Sequence, residues 1–186
     1  MRHFKDHPPL VCVTGLKNSG KTTVCTALIS DLNARGFTVG ALKSSHVRRL
    51  TLDHRSGDSY ALAESGANFV LVQGPEESLI LERGGRSFRQ MLQCVPERVD
   101  FIVSEGGEAR AAGSVIVCLS HASLWEETLR VRRVPRDKIL AVSGSFVRAA
   151  GTGSTFDGIP VYDAVRPGDR EKLLERLLDA PGEGRS

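Results

Sequence analysis

Apolar residues in this chain come in short uninterrupted blocks separated by polar or glycine-rich segments. Leu10-Val11-Cys12-Val13 has no polar position at all, which predicts a strand buried on both faces rather than a half-solvated one. After a glycine-rich stretch, Val24, Cys25, Leu28, Ile29 and Leu32 recur at helical spacing until Arg35-Gly36 ends the pattern. That segment reads as an amphipathic helix. The run from Phe37 to Lys43, bounded by Gly36 and by Ser44-Ser45, then reads as the second strand of a β-loop-α-β unit.

From Ser44 to Gly57 the periodicity fails, and His46, Arg48, Arg49, Asp53, His54 and Arg55 crowd the segment. A long loop at the ligand edge of the sheet is expected there. Asp58 to Gly66 fits a short helix, with Asp58 or Ser59 as cap and Gly66 as stop. The runs 69–72 and 78–81 flank Gly74-Pro75 and predict a hairpin or adjacent strands. Ser87 opens a further short helix through Met91, Leu92 and Val95, and the apolar run from Asp100 ends in Ser104-Glu105-Gly106-Gly107. Strands are expected at 115–119, at 139–142 and, more weakly, at 159–162. A last helix is expected over 169–178, where Leu173, Leu174, Leu177 and Leu178 repeat. Strands alternating with helices predict an α/β fold with a mostly parallel sheet covered on both faces.

The segment that follows the first strand carries the chemistry. Gly15-Leu16-Lys17-Asn18-Ser19-Gly20-Lys21-Thr22 spells G-x-x-x-x-G-K-T between a predicted strand and a predicted helix, the context that a phosphate-binding loop requires. Glycines let successive N–H groups turn inward on phosphate oxygens, and the helix N-terminus adds its positive end. Lys21 is placed to reach the β- and γ-phosphates and Thr22 to ligate Mg²⁺, with Thr23 next to it. The expected architecture is a three-layer P-loop NTPase with a mostly parallel central sheet and an additional hairpin.

Mg²⁺ prefers octahedral oxygen coordination, so acidic partners are sought. Glu105 ends an apolar strand at the edge where α/β folds bind ligands, and Gly106-Gly107 leaves the backbone room. It is read as a metal partner and as the group near which an attacking water would sit, alongside Lys21 as the second catalytic candidate. Asp53 and Asp58 could approach the ion through water, although Asp58 could equally cap its helix. Asp100 begins the same strand as Glu105 and therefore lies at the far edge, so it is read as structural. Lys43 could face a phosphate. His46 has no metal-spaced partner and is read as a loop or anion contact. Arg130, Arg132, Arg133, Arg136 and Lys138 form the strongest basic cluster, open to three readings: a solvated surface, a lid over phosphate, or a contact for an anionic partner. No N-K-x-D guanine-reading motif occurs, but Ser143-Gly144 follows an apolar run at a position suited to a nucleobase loop.

A length of 186 residues suits one domain spanning 1–186, with tails at about 1–8 and 180–186. A net charge of +3 with aromatics at 5% argues against nucleic-acid binding and base stacking. The four cysteines form no C-x-x-C pair and are expected as buried thiols in a reducing compartment. No run approaches transmembrane length and the N-terminus has no apolar signal core, so a cytoplasmic location away from membranes is expected.

Taken together, G-L-K-N-S-G-K-T-T at 15–23, R-G-F-T-V-G-A-L-K at 35–43, G-D-S-Y at 57–60, S-G-A at 65–67 and V-D-F-I-V-S-E-G at 99–106 resemble the molybdopterin-guanine dinucleotide biosynthesis protein B (MobB) family over roughly residues 10 to 120. The resemblance implies a GTP-binding protein with weak or no GTPase activity. It also implies a homodimer that assists the guanylyltransferase of molybdenum-cofactor biosynthesis or another cofactor-pathway enzyme, as adaptor or nucleotide supplier. By position Gly15, Gly20, Lys21, Thr22 and Thr23 match the family's phosphate loop, Lys43 and His46 part of its K-H-x-H-H segment, and Glu105-Gly106 its E-G end. Ser44 and Val47 replace two histidines of that segment, and Gly107-Glu108 stand where an aromatic and a lysine are common. Two other readings of the residues stay open: a small-molecule kinase with a basic lid, and a nucleotide-gated scaffold without chemistry.

Overall fold

A computed structural model describes residues 7–45, 58–147 and 154–180, with only the backbone for 58–60. His46, Asp53 and the rest of the expected polar loop lie outside the described residues, as do most of both expected tails. The chain divides into two compact units, residues 1–44 with 92–186, and residues 45–91.

The first unit is built on five parallel strands: β1 (Leu10–Gly15), β2 (Val39–Lys43), β5 (Phe101–Glu105), β6 (Ser114–Cys118) and β7 (Ile139–Ser143), in the order β2-β5-β1-β6-β7. Every residue of β1 is buried, because the strand is flanked on both sides and covered above and below. An uninterrupted apolar block is what such a position selects. Helix α1 (Lys21–Ala34) carries the chain from β1 to β2, and helix α5 (Pro167–Asp179) packs beside it. Between these helices and the sheet, Val11, Val13, Leu28, Leu32, Phe101, Val103 and Leu173 form one buried cluster. Phe37 meets Phe101 edge to face with centroids 5.0 Å apart. Arg170 Nε donates to Asp31 Oδ2 at 2.9 Å and its guanidinium also bonds the other carboxylate oxygen, tying α5 to α1.

Alternate residues of the same strands, among them Cys12, Ile102, Ser104 and Val115, point to the opposite face. There α4 (Trp125–Arg132) lies against β1. Right-handed crossovers require this division, since β1-α1-β2 moves across the sheet in one direction and β6-α4-β7 in the other. The connection from β5 to β6 is unusually lean: residues 106–113 hold only a single turn of 3₁₀ helix at Ala109–Ala111. On α4, the Thr128 hydroxyl and the Arg132 Nε are buried without a hydrogen-bond partner among the described residues.

The weak strand expected at 159–162 is present but short, as one arm of a small hairpin. β8 (Thr155–Phe156) pairs antiparallel with β9 (Ile159–Pro160), and Val161 then bridges in parallel to Val142. Pro160 removes a ladder donor, so the segment cannot extend as a regular sixth strand.

The second unit holds α2 (Asp58–Glu64), packed on β3 (Phe69–Gln73), which pairs antiparallel with β4 (Ser78–Glu82). The expected hairpin is present, closed by Gly74 N donating to Glu77 O at 2.9 Å. Arg83 donates to Glu64 at 2.8 Å and pins α2 to the end of β4. Val70 is buried, whereas Phe69, Leu71 and Ile80 on the other face are at least half exposed. Helix α3 (Phe88–Leu92) is shorter than the pattern through Val95 suggested.

Candidate nucleotide-binding site

Where β1 gives way to α1 the backbone takes a shape that few residues allow. A Cβ added at Gly15 would lie 2.3 Å from the Cys118 carbonyl oxygen and 2.5 Å from Ser19 Oγ, so only glycine fits. Gly20 has φ +87° and Asn18 φ +61°, the left-handed region that glycine enters freely and asparagine tolerates. The Ser19 hydroxyl, buried in the loop, donates to Leu16 O at 2.9 Å and holds the curl closed. Helix α1 begins without a side-chain cap and with no acidic residue in its first turn. Its leading N–H groups are thus left for an anion, which the helix dipole favours.

Lys21, the first residue of α1, bends back so that Nζ donates to Leu16 O at 2.6 Å. Burial lowers its pKa below the ordinary lysine value, and the positive charge of Arg132 adds to the effect while the Glu105 carboxylate works against it. A partly desolvated ammonium beside open backbone donors is suited to an anionic ligand that restores its charge balance. Lys17, Asn18, Thr22 and Thr23 are exposed at the same end of the helix.

Three strands converge on Glu105. The parallel register sets Val13 of β1 and Lys43 of β2 level with it on β5. Its Oε2 accepts from Thr22 Oγ1 at 2.9 Å and its Oε1 lies 3.5 Å from Lys43 Nζ. Ser44 N donates to Glu105 O at 3.1 Å and Gly106 N to Val13 O at 2.9 Å, so backbone bonds fix the corner on either side. Gly106 and Gly107 both have positive φ, which the turn after β5 requires. Asp100, at the other end of this strand, accepts from Thr38 N at 2.7 Å, the structural role expected of it. Asp58 heads α2 in the second unit, and its side chain, like all of His46, is not among those described.

The loop after β7 is fused to the phosphate loop. Ser145 N donates to Ser19 O at 3.3 Å, Leu119 N to Ser143 O at 2.9 Å and Phe146 N to Leu119 O at 3.1 Å. Gly144 has φ +107°, and a Cβ there would fall 2.4 Å from Ser19 O and 2.5 Å from Leu119 O. Beyond it, Phe146 packs edge to face on Phe156 of β8, which packs on Trp125 of α4. Ser143-Gly144 was legible as a loop following an apolar run, but its contact with Ser19 was not. That contact joins segments more than a hundred residues apart in sequence.

Two members of the basic cluster, Arg136 and Lys138, are engaged away from the phosphate loop. Lys138, just before β7, donates to Arg110 O at 3.1 Å and Ala112 O at 2.9 Å, just before β6. This is the edge where the parallel strands begin, opposite the phosphate loop. Arg136 bonds Glu126 and Asp157, the latter at 2.7 Å, and its guanidinium lies 5.8 Å from the centre of the Trp125 ring. Three of the cysteines are the buried thiols expected: burial pushes Cys12 up to about 11 and Cys25 up to about 12, and raises Cys118 as well. Cys94 is a correction, being exposed, because α3 stops at Leu92 and the chain turns before reaching it. Among the described residues no three His, Cys, Asp or Glu side chains gather to hold a metal, and no helix is long and apolar enough to cross a membrane.

Comparison with known proteins places the sequence and the fold together. Residues 10–142 match the family model for MobB, molybdopterin guanine dinucleotide synthesis protein B. Two molybdopterin-guanine dinucleotide biosynthesis adapter proteins are similar in sequence. That of Haemophilus influenzae is 36% identical over 73 residues, 39% of this chain and 40% of that protein. That of Escherichia coli is 26% identical over 130 residues, 67% of this chain and 74% of the relative. The chain thus spans about two fifths of the first relative's length and three quarters of the second's. A crystal structure of molybdopterin-guanine biosynthesis protein B superposes with a TM-score of 0.63 at 22% identity, covering 91% of this chain and 97% of the other. Bacillus subtilis MobB gives a TM-score of 0.62 at 22% identity, covering 90% and 97% respectively.

Proposed function

The chain belongs to the MobB family, and from that premise we propose that it binds Mg²⁺·GTP at residues 15–22 and serves as an adapter in molybdopterin-guanine dinucleotide biosynthesis. The observation that carries this reading is the meeting of Thr22 Oγ1 and Glu105 Oε2 at 2.9 Å beside Lys21, at an uncapped helix N-terminus. The donor set fits Mg²⁺ bound together with a nucleotide: one hydroxyl and one carboxylate, with the remaining oxygens from phosphate and water. Thr22 and Glu105 would hold the ion, and its charge would offset that of the β- and γ-phosphates.

The loop amides and Lys21 would grip the phosphates, Lys21 exchanging the Leu16 carbonyl for phosphate oxygens. Glu105 would orient a water as well as the ion. Slow turnover or none is proposed from family membership alone. The loop at 143–146 would border the nucleoside, since it is bonded to the rear of the phosphate loop. Guanine and not adenine is proposed from family membership alone.

The partner proposed by analogy with the two adapter proteins is an enzyme of the cofactor pathway, with a guanylyltransferase the first to test. Self-association is supported by the second unit, whose two-stranded sheet exposes Phe69, Leu71 and Ile80 on one face. A lone two-stranded sheet is marginal in water, and a second copy covering that face would stabilise it.

Equilibrium binding of a fluorescent GTP analogue tests the central claim. Lys21→Ala removes a charge-assisted hydrogen bond worth about 1.5–3 kcal/mol, so affinity in Mg²⁺ should fall by roughly 10- to 150-fold. A loss within twofold would refute the site.

A further inference from the structure

We propose that Lys43 is a stand-in cation for Glu105. It neutralises the carboxylate until a divalent ion takes its place, and so sets how strongly nucleotide binding depends on Mg²⁺. The inference rests on the Mg²⁺·nucleotide reading above and goes beyond it by assigning Lys43 to the carboxylate instead of to phosphate.

Glu105 keeps only 17% of its side chain exposed, at the end of a strand beside the phosphate loop. A carboxylate held there opposes an incoming triphosphate unless a cation lies close to it. Among the described residues, Lys21 and Lys43 are the cations to consider. Lys21 is committed to Leu16 O and is aimed along the loop. Lys43 Nζ sits 3.5 Å from Oε1, the oxygen that Thr22 leaves free.

Backbone geometry makes this pairing persistent. Lys43 and Glu105 are register partners on adjacent parallel strands, and the next amide, Ser44 N, bonds to Glu105 O. The lysine is nevertheless easy to displace. Its side chain is 67% exposed, the contact is loose, and exposed pairs of this kind shift an equilibrium by no more than about fivefold. A divalent ion, harder and doubly charged, claims the same oxygens more strongly, and Lys43 can then swing into solvent on its flexible stem. The two states differ in which cation the carboxylate carries.

The test is a double-mutant cycle of Lys43→Met and Glu105→Gln, read by equilibrium binding of a fluorescent GTP analogue in Mg²⁺ and in EDTA. Removing the lysine should weaken binding about three- to fivefold in EDTA and by less than about twofold in Mg²⁺. In the Glu105→Gln background it should weaken neither by more than about twofold, and Lys43→Arg should restore the wild-type pattern. Equal weakening in both buffers, or weakening that survives in the Glu105→Gln background, would mean that Lys43 touches phosphate directly and would overturn the inference. No weakening in EDTA would overturn it too. A wild-type protein that binds the analogue in neither buffer removes the proposed function, and the inference with it. Thermal melting of each variant guards against a folding defect.

Discussion

Gly144→Ala is the sharpest perturbation of the phosphate loop that leaves every loop residue in place. The added methyl carbon would stand 2.4 Å from Ser19 O, 2.5 Å from Leu119 O and 2.7 Å from Leu119 N, all backbone atoms that cannot rotate away. The alanine must also adopt φ +107°, at a cost of about 1–3 kcal/mol. Relief requires the 143–146 loop to lift, giving up Ser145 N to Ser19 O and Phe146 N to Leu119 O, each worth about 1 kcal/mol. The total is about 3–5 kcal/mol. Gly36→Ala is the control: its φ is +86° but nothing lies within 4 Å of the added carbon, so only the conformational cost remains, about 1–2 kcal/mol.

Both variants would be unfolded in urea and their midpoints compared, then assayed for nucleotide binding. Gly144→Ala should lose at least about 1 kcal/mol more stability than Gly36→Ala, and it alone should bind the GTP analogue more weakly. Equal losses in the two variants, or unchanged affinity in Gly144→Ala, would show that the loop after β7 does not brace the phosphate loop.

Other expectations concern the core, the thiols and pH. Leu28→Ala, at a side chain 2% exposed between α1 and the sheet, should cost about 2–5 kcal/mol in urea unfolding. Alkylation of native protein at pH 8 should add one label, at Cys94, because the other thiols are buried and held in the neutral form; peptide mass spectrometry reads the site. Cys25 ionises near its ordinary 9.0 when unfolded but only at about 12 when folded. The unfolded chain therefore sheds the proton first, and stability that is whole below pH 9 declines as pH rises toward 12. Each such thiol should contribute a slope of up to about 1.4 kcal/mol per pH unit, and Cys25→Ala should make the decline in urea midpoints shallower.

How far the sequence could be read depended on whether a feature was local. The phosphate loop is local: its glycines, Lys21 and Thr22 sit within eight consecutive positions, and the motif carries its own geometry. The β1 block and the α1 stripe were equally plain, since burial on two faces or one leaves a periodic trace. The position of Glu105 beside the loop was legible because a strand's direction says which of its ends lies by that loop, and the same argument set Asp100 apart. The basic cluster, open to three readings in the sequence, stayed open for the complementary reason. Arg136 and Lys138 are neighbours in sequence, but one closes onto Asp157 and the other onto carbonyls at the far edge of the sheet. Cys94 looked buried because Leu92 and Val95 flank it, and only the early end of α3 exposed it.

By itself, then, the sequence determined that this chain is an α/β protein with a G-x-x-x-x-G-K-T loop after its first strand, because those properties follow from short-range pattern and backbone stereochemistry. The strand order β2-β5-β1-β6-β7 was decided by tertiary structure. So was the level placement of Lys43 with Glu105, and so was the seating of Gly144 against Ser19. Each depends on register between segments far apart in the chain, and register is set by how whole strands and helices pack, which no local pattern records.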